Sequence, residues 1–352
     1  MSITADLRPA RPAPLPSRRG LLAGAAGTVG VVGTALLGAA GCAGDAPAGP
    51  VAATGAGPGG PFPLTFESEF GTTEVPAAPQ RVVSVGVSDA DVLLALGGQP
   101  LATTGFTFYP ETGLGPWAEP LLTGTPVRLG SDAEVSVEEV AALRPDLVLA
   151  VSSGLQAPLF EQLSRVAPVL ARPAGTTAYA VDRAVQTRLI ATALGREEAG
   201  RRLEEDVERA FADARAANPE FAGRTGVVAL PYDGRYGVFL PGDARGQVMA
   251  DLGFALPEAV AAADTGDSFF VEVSRERLDL LEADVLVVLT DDGSRAGVET
   301  DGVLASLDVV RRGALVLPDL DVRGAMSYGT ALSVPYALDH LVPALAAALS
   351  GS

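Results

Sequence analysis

The segment Ser136-Val137-Glu138-Glu139-Val140-Ala141-Ala142-Leu143-Arg144-Pro145-Asp146-Leu147-Val148-Leu149-Ala150-Val151 recurs without a gap 138 positions later. The second copy is Ser274-Arg275-Glu276-Arg277-Leu278-Asp279-Leu280-Leu281-Glu282-Ala283-Asp284-Val285-Leu286-Val287-Val288-Leu289. Serine falls on serine, Glu138 on Glu276, Asp146 on Asp284, and both copies close in an apolar run. A chain that carries such a unit twice is built as two similar lobes, and whatever sits between them is gripped from both sides. Each serine is a good helix N-cap, because its oxygen accepts the free N–H groups of a first turn. Val140 and Leu143, like Leu278 and Leu281, repeat apolar character at a spacing of three, as on a short buried helix face. Pro145 disfavours the helical region at Arg144 and ends the first helix. The terminal runs lack polar alternation, which fits parallel strands covered on both faces. Each copy therefore reads as helix, tight turn and buried parallel strand. A further echo, Val92 to Gly97 against Val248 to Gly253, precedes each copy and widens the duplication.

The two glutamates have a plain explanation and a functional one. Acids in a first helical turn gain from the helix dipole. Glu139 already occupies the capping-box position on Ser136, and Glu138 is not needed for it. Arg277 follows Glu276, so the second copy has no capping box.

The N-terminus reads as an export signal over residues 1–41. It has Arg8, Arg11, Arg18 and Arg19 before a Gly- and Ala-rich apolar stretch from Leu21 to Gly41. Ser17-Arg18-Arg19-Gly20-Leu21-Leu22 is similar to a twin-arginine (Tat) signal. Ala39-Ala40-Gly41-Cys42 resembles a bacterial lipoprotein processing site, with alanine in place of the usual leucine. Cys42 is the only cysteine, so no disulfide forms within the chain, and lipid attachment is its best use. This anchors the protein on the extracytoplasmic face of the cell membrane. Residues 42–63 are mostly Gly, Ala and Pro, the composition of a flexible tether. Without residues 1–41 the chain carries 21 basic and 42 acidic side chains, and no lysine. A surface that acidic argues against nucleic acid as a partner.

The remaining length suits two domains. Residues 64–195 read as an N-terminal α/β lobe, 196–222 as a spine helix and 223–352 as a C-terminal α/β lobe. Strands are expected at 64–70, 81–85, 101–105, 168–171, 226–230, 236–240 and 314–317, in addition to those closing each repeat. Helices are expected at 89–96, 158–166, 178–194, 196–217 and 244–252, with a mainly helical stretch at 328–349. Residues 71–79 read as a turn-rich link. The fold class that follows is α/β, with two lobes of mostly parallel sheet joined by one long helix and a ligand cleft between them.

Pro79-Gln80-Arg81-Val82-Val83, then Leu93 to Gly97, then the two Ser-x-Glu segments, resemble the periplasmic binding proteins of ferric-siderophore and cobalamin ABC importers. The resemblance covers residues from about 64 to 349. It implies a monomeric binding protein, not an enzyme, that hands its cargo to a permease dimer with its ATPase. It also implies small lobe motions about a rigid helix. By motif position it assigns permease docking, through arginine pockets, to Glu138 and Glu276. The implied cargo is a ferric siderophore or cobalamin, held without a resident cofactor.

Bare metal is disfavoured as cargo, since such sites use several His and carboxylate ligands and this chain has one histidine, His340, in an apolar helical stretch. A pre-chelated iron complex needs only an aromatic, polar cleft with arginines. The candidates lie in loops at strand carboxyl ends. They are Phe108, Tyr109, Trp117 and Arg128 in the first lobe. In the second they are Tyr232, Arg235, Tyr236, Phe269, Arg295, Arg323 and Tyr328. The acidic balance favours a neutral or cationic hydroxamate complex over a triply anionic catecholate. Cobalamin is the alternative in the same class. Alternatives of another class are a ligand-sensing lipoprotein and a secreted enzyme, although no Gly-x-Ser-x-Gly elbow is present.

Overall fold

The computed structural model describes residues 62–132 and 134–351. The export signal, Cys42 and all but the end of the tether lie outside the described residues. The first lobe begins with β1 (Leu64–Ser68) and β2 (Gly71–Val75), an antiparallel hairpin paired from Leu64↔Val75 to Ser68↔Gly71. Residues 71–75 are thus a strand, not part of a turn-rich link. The hydroxyl of Thr73 donates to the Val169 carbonyl and ties the hairpin to the lobe.

Strands and helices then alternate: β3 (Val82–Ser84), α1 (Asp89–Ala95), β4 (Pro100–Thr103), β5 (Val127–Arg128), α2 (Val137–Ala142), β6 (Leu147–Ala150), α3 (Ala157–Ser164) and β7 (Val169–Ala171). The sheet order is β5-β4-β3-β6-β7, with every pairing parallel. All four residues of β6 are buried, as its bare apolar run requires.

Two helices follow, α4 (Arg183–Ala193) and α5 (Glu197–Ala217). The α4 helix starts later than its sequence suggests, because Asp182 caps it and Tyr179 takes a left-handed φ of 63°. The charged α5 has a narrow apolar seam that changes lobe along its length. Ala199 and Leu203 pack on the core of the first lobe, and Val207 and Phe211 lie in the core of the second.

The second lobe holds β8 (Gly226–Tyr232), β9 (Arg235–Phe239), α6 (Ala244–Asp251), α7 (Glu258–Ala261), β10 (Phe270–Val273), β11 (Val285–Val288), α8 (Arg295–Glu299), α9 (Asp308–Arg311), β12 (Leu315–Val316), α10 (Leu320–Tyr328) and α11 (Ser333–Ser350). Its sheet runs β10-β9-β8-β11-β12, parallel at β8-β11-β12 and antiparallel at the β9 and β10 edge. Tyr328 closes α10 at left-handed Gly329 instead of opening the final helix.

The repeated segments do matching work in the two lobes. Asp146 accepts the N–H groups of Gln80 and Arg81 at 2.8 Å and fixes the start of β3. Asp284 accepts the N–H and hydroxyl of Thr225 at 2.7 and 2.9 Å, just before β8. The echo helices close alike, with Gly98 N–H on the Leu93 carbonyl and Phe254 N–H on that of Met249, after Gly97 and Gly253 at positive φ. One difference is sharp. Ser136 caps α2 by accepting from the Glu139 N–H, whereas Arg275–Leu281 forms only a 3-10 turn with a break at Arg277. Ser274 makes no such cap there; its hydroxyl instead helps hold the Glu276 carboxyl below the usual carboxylate range.

Candidate ligand-binding site

Loops at the carboxyl ends of the first lobe's strands meet the second lobe. After β4, Phe106 and Phe108 stack with centroids 5.2 Å apart, and Tyr109 lies edge-on to Phe108 at 4.9 Å. After β5 comes Asp132, which is buried and accepts from the Gly154 N–H at 2.8 Å and the Tyr179 hydroxyl at 2.7 Å. Tyr179 itself follows β7. Burial, together with Asp132, pushes its phenol pKa up, so it acts as a donor.

Two arginines answer from the second lobe. Arg245 enters in the first turn of α6, where Asp243 caps the helix and grips the guanidinium with both oxygens at 2.7 Å. The guanidinium lies 3.6 Å from the centroid of Phe239 and 6.0 Å from that of Phe269. Arg323 on α10 pairs with Asp291 at 3.2 Å and lies 5.3 Å from the Phe108 centroid, across the lobe boundary. Burial lowers the Arg323 pKa, Asp291 opposes that, and neighbouring Arg245 adds to the lowering. Phe269 meets Tyr179 edge-on at 5.8 Å, also across the boundary. Two guanidiniums and a set of rings thus converge where the lobes face each other.

The sequence candidates divide accordingly. Phe108, Tyr109, Phe269 and Arg323 belong to this group. The Tyr109 hydroxyl donates to Asp321 of the second lobe at 3.0 Å. Arg128 spends its guanidinium on the carbonyls of Thr103, Gly105 and Gly130 and shapes the loop beneath. Trp117 and Tyr328 form the fastening behind the group. Their rings are 5.5 Å apart, the indole N–H donates to Asp91, and Tyr328 donates to the Gly113 carbonyl and accepts from the Phe106 N–H. The loop around Trp117 has a small core of its own, built on Ala90, Leu94, Leu114 and Ala118.

Four candidates fall outside the group. Tyr236 is 4% exposed inside the core of the second lobe. Tyr232 and Arg235 both engage Glu272 on the β8–β9 hairpin. Arg295 pairs with Glu299 and reaches the Leu317 and Pro318 carbonyls. Sequence reading passed over Tyr179, Asp132 and Arg245. The one available signal was Asp243-Ala244-Arg245, an arginine in the first turn of a capped helix after a strand.

Glu138 and Glu276 are both exposed, one on each lobe, and neither forms an ion pair among the described residues. The Ser136 hydroxyl donates to Glu138 at 3.3 Å, and Ser274 lowers the pKa of Glu276 at the matching position. His340 is exposed and stacked on Tyr336 at 4.3 Å. No cluster of three or more metal-ligating side chains occurs among the described residues. None of the described helices is long and apolar enough to cross a membrane.

The family model for periplasmic binding proteins matches residues 82–317. The Fe(3+) dicitrate-binding periplasmic protein FecB of Escherichia coli (strain K12) is 29% identical over 209 residues, which is 57% of this chain and 65% of that protein. The chain thus spans slightly under two thirds of that relative. A probable siderophore-binding lipoprotein of Bacillus subtilis (strain 168), YfiY, is 26% identical over 64% of this chain and 68% of its own length. Among solved structures, a periplasmic solute binding protein of Mycobacterium smegmatis str. MC2 155 is 30% identical with a TM-score of 0.72, covering 81% of this chain and 98% of that one. PiaA of Streptococcus pneumoniae TIGR4, solved with ferrichrome, shares the fold at 24% identity and a TM-score of 0.72, over 82% and 99% of the two chains. With two matched lobes, one bridging helix and a family model spanning both sheets, the chain belongs to the periplasmic binding protein family.

Proposed function

We propose that this chain is an extracytoplasmic solute-binding protein, not an enzyme, that captures a ferric siderophore between its lobes and delivers it to an ABC permease for iron uptake. The observation that carries this is the convergence of Arg245, Arg323, Phe108, Tyr109, Tyr179 and Phe269 from both lobes onto one facing surface. Rings cover the organic scaffold of a chelate, and guanidinium and phenol N–H and O–H groups address its oxygens. Such a site needs no protein ligand to the iron. FecB and YfiY, by their names, bind iron dicitrate and a siderophore, which supports the same class for this chain.

The local charge supports a hydroxamate complex. Each arginine already has its own carboxylate, Asp243 or Asp291, and Asp132 and Asp321 add further acid nearby. A site so balanced suits a neutral or cationic chelate better than a triply anionic one. A carboxylate-type chelate is the second reading, favoured by the iron-dicitrate relative. Export, lipidation at Cys42 and docking through Glu138 and Glu276 complete the proposal. They rest on the signal-like N-terminus and on one exposed glutamate per lobe.

The test is quenching of Trp117 fluorescence by ferric hydroxamates, ferric citrate, a ferric catecholate and cobalamin in parallel. Tightest binding of a ferric hydroxamate is expected. Binding of cobalamin alone would overturn the siderophore reading, and tightest binding of ferric citrate would select the second one.

A further inference from the structure

Asp91 occupies the first turn of α1 and is fully buried. Its Oδ2 accepts from the Trp117 indole N–H at 2.6 Å and from the Thr330 hydroxyl at 2.9 Å. Trp117 belongs to the first lobe, and Thr330 lies between α10 and α11 of the second. One carboxylate oxygen therefore joins the lobes, well away from the spine helix in sequence. The other oxygen, Oδ1, has no hydrogen-bond partner among the described residues.

The groups around Asp91 leave its charge uncompensated. On its own helix, Asp89 turns to the N–H groups of Val151 and Ser152 and the amide of Gln186. Arg128 is committed to backbone carbonyls. On the facing loop, Glu119 accepts from Thr112. On α10, Asp321 takes the Tyr109 hydroxyl, and burial keeps the Tyr328 phenol protonated by raising its pKa. On α11, Tyr336 packs against Trp117, and Ser333 hydrogen-bonds Thr330. A buried carboxylate without a cation favours its neutral form, while two donors on a single oxygen hold it within reach of ionisation.

We infer that Asp91 is a proton-linked latch between the lobes. Neutral, it fastens the Trp117 loop to Thr330. Ionised, it draws both bonds tighter, but the cost of keeping the charge buried outweighs them and loosens the fastening and the adjoining Phe108 and Tyr109. Burial, opposed by the bonds from Trp117 and Thr330, raises its pKa to about 7. The sign follows from that direction. The neutral form, and with it the closed latch, is complete at acid pH and is lost as pH rises through the folded value.

Trp117 is the only tryptophan, and its N–H touches the carboxyl, so its emission reads the latch directly. The ligand-free full chain is titrated from about pH 5.5 to about pH 9, bracketing the expected transition. A one-proton transition near neutral pH is expected. Asp91→Asn, isosteric with the neutral acid, should give a flat profile resembling the low-pH form. Thr330→Val removes a bond that favours the ion, and its midpoint should move up. A flat wild-type profile, or an unchanged transition in Asp91→Asn, overturns the proposal. An unchanged midpoint in Thr330→Val overturns the bridging of the lobes. Circular dichroism verifies folding, and if Asp91→Asn does not fold, Thr330→Val decides alone. Because no siderophore is present, failure here is distinct from failure of the proposed function.

Discussion

Replacing Arg245 with methionine separates what this residue does for folding from what it does for binding. The Arg245 and Asp243 side chains are 11% and 2% exposed. Removing the guanidinium strands the Asp243 carboxylate in the interior, and breaking a buried pair in this way costs about 3–5 kcal/mol. The guanidinium also sits 3.6 Å above Phe239, a contact worth up to about 2 kcal/mol when desolvated. The methionine thioether recovers about 0.3–1.5 kcal/mol of it against the same ring. The net expectation for stability is a loss of about 3–5 kcal/mol, dominated by the orphaned acid. For the ligand, one charge-assisted hydrogen bond is worth about 1.5–3 kcal/mol. At about 1.4 kcal/mol per decade that is roughly a 10- to 100-fold weaker Kd. Adding Asp243→Asn discharges the stranded group and keeps a good N-cap on α6. The double variant should therefore recover most of the stability and none of the affinity. Urea denaturation followed by circular dichroism gives the first quantity, and Trp117 quenching by the tightest ferric complex gives the second. Wild-type affinity in the folded double variant would show Arg245 to be purely structural and refute the site.

Two further outcomes are expected. Glu138→Ala combined with Glu276→Ala should abolish iron uptake by cells while leaving ligand affinity unchanged; normal uptake would sink the docking assignment. Asp89, fully buried, has its pKa raised from 3.8 to about 6 by burial, against bonds from Gln186, Ser152 and Val151. For an acid raised in the folded state, the native protein binds the extra proton, so stability falls as pH rises between those values. The stability of wild type minus that of Asp89→Asn should therefore fall by about 2 kcal/mol from about pH 4 to about pH 7, read from urea midpoints. A difference that grows with pH would reverse the assignment.

The duplication, the parallel strands and the spine were all legible in the residue order. These are local matters of cap, apolar spacing and buried run, each encoded within a few neighbouring residues. Asp146 and Asp284 show how far that goes, since matched positions make matched bonds at the starts of β3 and β8. Local signals failed where pairing partners are distant. The strand Gly71–Val75 has only two buried residues and is ordered by β1 and by Val169. Tertiary structure alone decided the candidate site. Whether an aromatic or arginine in a loop faces a core, a carbonyl or the opposite lobe depends on contacts between residues far apart in the chain. Tyr236 and Arg128 look like Tyr179 and Arg245 in sequence, yet the first pair holds the fold and the second faces the other lobe or its partner arginine. The same holds for Asp91, an unremarkable acid in a first helical turn, whose burial depends on Trp117 and on Thr330, 239 residues away.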